Sequence, residues 1–439
     1  MEKYLGGNVF EWALRALGLA LAISFVWCLL SLRPLLRSLV GGRRRAPLRW
    51  TTVAGPLAFA IALGTFVALG PMLVDVGLNT IHRVDSPAIS SRAHDLHKKA
   101  FVVDMHADTL LWPKRDFFKR NAWAHVDLPR LQEGNVALQM FTIVTSVPYG
   151  QSIESNYAPT HPAIDKLTPK VAVEGWGWEA LRSNAGRTLF QANNMHDLAR
   201  RSNGTLQVVR DRSDLEAFIK AREADRRKVA AILGIEGLHA LDGNITNVDV
   251  FFDAGVRMMG LAHFFDNDLA GSAHGKAKGG LTPFGREVVA RMEEKKIFVD
   301  VAHASQNAIL DLAKIATRPI LSSHTGVRGV CDNQRNLGDE EVKGIARSGG
   351  VLGVAYFRPA ICGETELEGI INTIKYIKDL VGVEHVGLGS DFDGTVATPF
   401  DTSQLVQITN GLLQAGLTPD EVLLVMGGNM RRVLLQHLP

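Results

Sequence analysis

The chain has 439 residues, 46% hydrophobic and 21% charged, with 48 Lys and Arg against 45 Asp and Glu for a formal charge of +3. That composition excludes a disordered, collagenous or disulfide-scaffold protein, and only three cysteines leave the core to stand on apolar burial. The near-neutral balance offers no global basic field for nucleic acid, while a mean hydropathy of +0.06 marks an apolar excess concentrated somewhere along the chain.

The excess sits at the front. Residues 16–32 are free of charge, and so are residues 50–74, which stop just before Asp75. At about 1.5 Å per residue, the runs reach about 25 Å and more, enough to cross a hydrocarbon layer of about 30 Å when the first draws on its flanks. Between them lie Arg33, Arg37, Arg43, Arg44, Arg45 and Arg49 with no acid. The positive-inside rule places this connector in the cytoplasm and everything after Asp75 on the other side of the membrane. A cleaved signal peptide is one alternative, against which the second run and the lack of a small-residue cleavage site argue; a pair of buried core helices is another, and it fits badly with an Arg-rich hinge. Residues 1–80 hold eight bases and three acids, a balance of +5, which leaves −2 for the rest. Cys28 falls in the first run; Cys331 and Cys362 could pair in an oxidising compartment, but spacing alone does not show whether their Cα atoms come within bonding range, and they are read as free thiols.

The chain thus divides into a transmembrane hairpin over 1–78, a polar linker over 79–99 leading into a surface helix, and a main domain over 100–439. From residue 100 onward, short apolar β-branched runs alternate with longer segments of helical spacing, the pattern of βα units in a parallel sheet. Eight strands are predicted, at 101–104, 137–143, 229–235, 257–262, 297–302, 319–322, 351–356 and 385–389. Eight parallel strands in this length predict an α/β fold, a (β/α)8 TIM-type barrel preceded by the hairpin. An open doubly wound sheet is the alternative, and no Gly-rich dinucleotide fingerprint follows the first strand. The insert at about 144–228 has no legible fold. Thr418 followed by Pro419 and Glu421 starts the last helix, which runs into the segment MGGNMRRVL.

Chemistry-bearing residues cluster at strand ends. His106 and Asp108 follow the first strand, Glu236 the third, His263 the fourth, His303 the fifth, His324 the sixth and Asp391 the eighth. Each has a bland reading alone: Glu236 as a helix cap, His303 or His324 as a hydrogen-bonded core histidine, Asp391 as a turn residue. Together they converge on the barrel rim that carries active sites, and buried imidazoles and carboxylates crowded there call for a compensating cation. Histidines and carboxylates without a nearby Cys pair point to a hydrolytic zinc-type site, with ligands enough for two ions. His239, His274, Asp266, Asp268 and Asp393 lie near these motifs as loop or supporting candidates.

HxD after the first strand, GIEG, VAHAS, SSHTG, NQRNL, GLGSDFDG and the terminal GGN segment resemble the membrane dipeptidases of the renal dipeptidase type, amidohydrolase-like zinc hydrolases, over about residues 100–437. The resemblance implies a dizinc dipeptidase in which His106 and Asp108 hold one Zn2+, His303 and His324 the other, and Glu236 bridges both, with a hydroxide between the two ions attacking the peptide bond of a small dipeptide. It further implies that His263 stabilises the oxyanion, that Arg335 holds the free carboxylate, and that Asp391 binds the amino end and shuttles the proton. Gly338 stands where such proteins usually have Pro, and the two-span anchor is unlike a secreted or lipid-anchored form. Two other readings are another amidohydrolase acting on a cyclic amide, lactone or ester, and a catalytically silent membrane receptor; the absence of a strand-end Lys bridge disfavours the former, the full acid/base set the latter. The expected partners are small dipeptides and, through the N-terminal helices, the membrane; the oligomeric state, a homodimer included, stays open.

Overall fold

Long charge-free runs have no way to satisfy backbone polar groups in lipid except as helices, and the computed structural model places one on each. It describes residues 5–40, 50–82, 88–160, 164–363 and 365–439. Two compact units result, Met1–Leu78 and Asn79–Pro439. In the first, α1 (Leu5–Val40) and α2 (Trp50–Leu78) each contain a stretch long and apolar enough to cross a membrane, Trp12–Leu36 and Thr52–Leu78. Their apolar side chains stay largely uncovered; Ile23 and Ile61 are 60% and 61% exposed, which water would penalise and lipid would not. The helices meet where Gly55 lets backbones approach, since a Cβ there would lie 2.8 Å from the Trp27 carbonyl oxygen. Arg33 and Arg37, read as part of the connector, belong instead to α1, whose helix continues to Val40. Arg43, Arg44, Arg45 and Arg49 lie outside the described residues.

In the second unit all eight predicted strands form, with ends shifted by a few residues: β1 (Val102–Ala107), β2 (Val136–Val144), β3 (Val229–Glu236), β4 (Val256–Gly260), β5 (Phe298–Asp300), β6 (Ile320–Thr325), β7 (Val351–Val354) and β8 (Val386–Leu388). Each pairs in parallel with the next, and β8 returns to β1 through Leu388 and Asp104. The sheet is therefore a closed eight-stranded barrel with helices around it, and the open-sheet alternative falls away.

Period-2 alternation sorts its side chains into two cores. Leu138 and Met140 of β2 and Ala230 and Ile232 of β3 face inward, where Met430, Val433 and Leu434 of the last helix close the bottom. The alternate residues, such as Phe141, Leu233 and Ile235, face the helices. Continuing the inward register up β3 brings Glu236 to the rim. The last helix begins with the expected capping box between Thr418 and Glu421, but it breaks at Gly427, whose φ of 157° and close approach to Val103 leave no room for a Cβ.

The stretch read as a linker is stitched to the barrel unit. Thr80–Ile81 pairs in parallel with Ala397–Thr398, and the helix Ser91–Lys99 buries His97. The illegible insert holds three helices, Thr168–Glu174, Trp178–Arg182 and Asn184–Arg201, then a strand Leu206–Val208 beside the start of β3 and a helix Arg212–Ala224. Its organising residue is Arg187, fully buried, which pairs with Asp165 at 2.9 Å and donates to the carbonyls of Thr145 and Ala180. Gly338, at the start of the helix Asp339–Arg347, has φ −80° and ψ 170°, values open to Pro as well. Cys331 and Cys362 are not free: they form a disulfide, their Cα atoms 5.2 Å apart. Thirty residues of intervening barrel bring them together, which no spacing rule could show.

Candidate metal centre

All eight residues singled out from the sequence arrive at the C-terminal rim, and all are buried. β1 delivers His106 and Asp108, β3 ends on Glu236, and the turns after β4, β5 and β8 carry His263, His303 and Asp391. His324 sits on β6, and Arg335 comes from the loop that follows. His303 and Asp391 hold left-handed backbone, φ 64° and 62°, a conformation that costs a non-glycine residue energy and recurs at functional positions.

Glu236 is the hub. Its Oε1 lies 3.0 Å from His303 Nε2, 3.3 Å from His324 Nε2 and 3.7 Å from His106 Nε2, and its Oε2 lies 3.4 Å from His263 Nε2. His106 Nε2 is also 3.5 Å from Asp108 and 3.8 Å from Asp391. Among the described residues, three triads have donor atoms close enough for one ion: His106, Glu236 and His324; Glu236, His263 and His303; His106, Asp108 and Asp391. These groupings mix the two ligand sets that the resemblance implies, setting His106 beside His324 and His303 beside His263, with Glu236 common to two of them.

The electrostatics show a site short of positive charge. Burial, reinforced by Asp108, pushes the Glu236 carboxyl well above the usual range, and burial raises Asp391 to about 8. Burial also works against charge on His106, yet Asp108 and Glu236 beside it outweigh that and raise it to about 10. Desolvation holds His263, His303 and His324 well below their ordinary value. The Nε2 atoms of His303 and His324 stand 2.9 Å apart, and His106 Nε2 has no hydrogen-bond partner. Imidazole nitrogens and carboxylates converging on one point, with His106 drawn toward its cationic form to offset the acids, fit divalent cations with nitrogen and oxygen ligands.

Supporting contacts that sequence reasoning missed hold the clustered side chains in place. Thr142, inward on β2, donates to Asp108 at 2.5 Å, and Ser323, just before His324 in the SSH run, reaches His106 Nδ1 at 2.9 Å. Alternation on β2 could have pointed to Thr142; nothing local pointed to Ser323. Arg335 donates one Nη2 bond to the His324 carbonyl at 2.8 Å, while its Nε and Nη1 have no partner. Of the loop candidates, His274 packs its ring 5.1 Å from that of His303, and His239 bonds Thr145. Asp266 accepts the amides of Ser272, Ala277 and Lys278, and the carbonyl of Asp268 accepts from Thr282. Asp393 ties Thr109, Arg115 and the His125 amide together.

A closed parallel barrel with a buried His and carboxylate cluster on its C-terminal rim defines a metal-dependent hydrolase of the TIM-barrel class. The sequence profile of the membrane dipeptidases, peptidase family M19, matches residues 90–437. The chain belongs to that family. Among characterised relatives, dipeptidase aclJ of Aspergillus oryzae is 25% identical over 421 residues, covering 89% of this chain and 91% of its own. Dipeptidase tcpJ of Claviceps purpurea is 26% identical over 351 residues, 77% of this chain and 74% of its own. Among solved structures, a Rhodobacter sphaeroides metallopeptidase holding a phosphinate mimic of the dipeptide L-Ala-D-Ala superposes with a TM-score of 0.63 at 23% identity, over 77% of this chain and 99% of that one. A Pseudomonas aeruginosa protein described as the probable dipeptidase PvdM gives 0.64 at 20% identity, over 79% and 98%. The chain is a dipeptidase of the metallopeptidase type.

Proposed function

We propose that the protein is a membrane-anchored dizinc dipeptidase that hydrolyses the peptide bond of small dipeptides outside the cytoplasm. The observation that carries this reading is Glu236, buried at the centre of four histidine Nε2 atoms with Asp108 and Asp391 alongside. His106 and Asp108 would hold one zinc, His303 and His324 the other, with Glu236 shared. Bound there, two zinc ions supply a nucleophile from water at neutral pH and polarise the scissile carbonyl.

The chain's own residues do the rest. Arg335 offers its two unpartnered nitrogens to the dipeptide's free carboxylate, a planar fork for a planar anion. His263, held neutral by burial, faces the carbonyl oxygen and stabilises its developing charge by hydrogen bonding. Asp391 anchors the amino end and carries a proton from the attacking water to the leaving amine, the positioned acid/base that the reaction needs. The Cys331–Cys362 disulfide supports an oxidising compartment, in line with the Arg-rich connector facing the cytoplasm.

The purified full-length chain should contain close to two zinc ions and release amino acids from a dipeptide panel that includes L-Ala-D-Ala. A fully metallated protein that cleaves none of them would refute the proposal.

A further inference from the structure

Beneath the cluster, a single hydroxyl touches two of the histidines. Ser323 of β6 is fully buried. Its Oγ donates to Asp300 Oδ2 at 2.6 Å and lies 2.9 Å from His106 Nδ1 and 3.0 Å from His324 Nδ1. A hydroxyl has one proton and two acceptor lone pairs. The other oxygen of Asp300 accepts the amides of Ser323 at 2.8 Å and Ala302 at 3.1 Å, which fixes the carboxylate as the acceptor of the Ser323 proton. Both lone pairs of Ser323 are then available to the imidazoles, and both imidazoles must bring Nδ1–H. That turns Nε2 of His106 and of His324 toward Glu236 as the nitrogen each neutral ring would offer to a metal ion.

The strand register makes this possible. Asp300 closes β5 opposite Leu321 of β6, two residues before Ser323, so the carboxylate and the hydroxyl rise together on neighbouring strands. His106 reaches the same point from β1, across the barrel interior.

We propose that Ser323, fixed by Asp300, is a positioning residue shared by both metal sites, setting the tautomer and ring orientation of one histidine ligand of each ion through one hydroxyl. The inference rests on the assignment of His106 and His324 to separate ions made above. Its consequence is that the two ions respond together to the loss of Ser323, whereas a group supporting one histidine would affect one ion. Removing such outer hydrogen-bond partners typically weakens metal affinity by about 10–100-fold.

The test uses full-length protein in detergent, stripped of metal and titrated with zinc against a chromophoric chelator, with melting of the metal-free form as the folding control. Wild type should bind two ions. Ser323→Ala should bind both about 10–100-fold more weakly while melting near wild type without metal, and Ser323→Thr, which keeps the hydroxyl, should restore both affinities. Weakening of one ion alone, or of neither, overturns the shared role. So does a threonine variant that folds without metal yet binds the ions about 10-fold or more weakly than wild type, an outcome that is read against wild type even if the alanine variant does not fold. Wild type that takes up no zinc would instead overturn the metal assignment itself, a distinguishable failure.

Discussion

Replacing Arg187 by Met tests how the long insert is held. The guanidinium is fully buried and makes an ion pair with Asp165, with further bonds to the carbonyls of Ala180 and Thr145 at 3.0 and 2.7 Å. Met approximates the volume but supplies no donors, so a buried carboxylate and two carbonyls lose their partner. Asp165 keeps the amides of Val147, Leu167 and Thr168, which tempers the loss without neutralising the charge. Breaking one side of a buried pair costs about 3–5 kcal/mol. A unit of about 360 residues has an unfolding entropy near 0.75 kcal/mol per degree, so the melting temperature should fall by about 4–7 °C. Calorimetry on wild type, Arg187→Met, Asp165→Asn and the double variant measures this directly. The double variant should lose less than the sum of the singles, with a coupling of about 1–3 kcal/mol. Additive losses, or a single-variant drop below about 1 °C on the same entropy scale, would refute the claim that this pair anchors the insert.

Asp391→Asn should keep its metal content while turnover falls by about 10²–10⁴-fold, the usual share of a positioned acid/base; unchanged turnover would contradict the proton-transfer role. Arg335→Met should lower kcat/KM for free dipeptides by about 10–100-fold, the value of a charged hydrogen-bonded contact. Dipeptide amides, which lack the carboxylate, should be nearly indifferent to it, and an equal loss on both substrates would exclude carboxylate recognition. Gly237→Ala places a Cβ 2.6 Å from the His239 ring and 2.9 Å from the His263 Cβ at φ 91°, so stability should drop by about 1–3 kcal/mol and turnover should fall with it as His263 is displaced. His97 is buried, donates Nε2–H to Gly134 O at 3.0 Å and accepts from Thr409 at 2.9 Å; burial lowers its pKa from 6.5 to about 4. The unfolded chain therefore binds the extra proton first, and the contribution of His97, fully present above pH 6.5, is lost as pH falls toward 4. The loss amounts to about 3 kcal/mol over that window. Denaturant titrations across the window should show a shallower slope for His97→Gln, and an unchanged slope would remove His97 as the cause.

Local pattern carried much of the outcome. The eight strands were legible because parallel barrel strands are buried on both faces and read as short apolar runs, and the rim cluster was legible because barrel strands deliver their C-terminal residues to one rim. Arg335 had no local signal and came only through the family motif NQRNL. Ser323 and Thr142 were passed over because a hydroxyl becomes informative only when its partner is known, and those partners, His106 and Asp108, lie on other strands.

The sequence by itself therefore determined the apolar front, the barrel, the family and the set of residues at the rim, all properties of composition, period and order along the chain. Tertiary structure alone decided that Cys331 and Cys362 bond, that Arg187 and Asp165 pair within the insert, that Arg33 and Arg37 stay within α1, and that the rings of His106 and His324 meet 3.7 Å apart beside Glu236. Except for the helix end, these are contacts between residues far apart in sequence, set by strand register and loop closure rather than by any local preference. Helix α1 likewise extends past its apolar run because hydrophobicity sets the length of a span but does not end a helix.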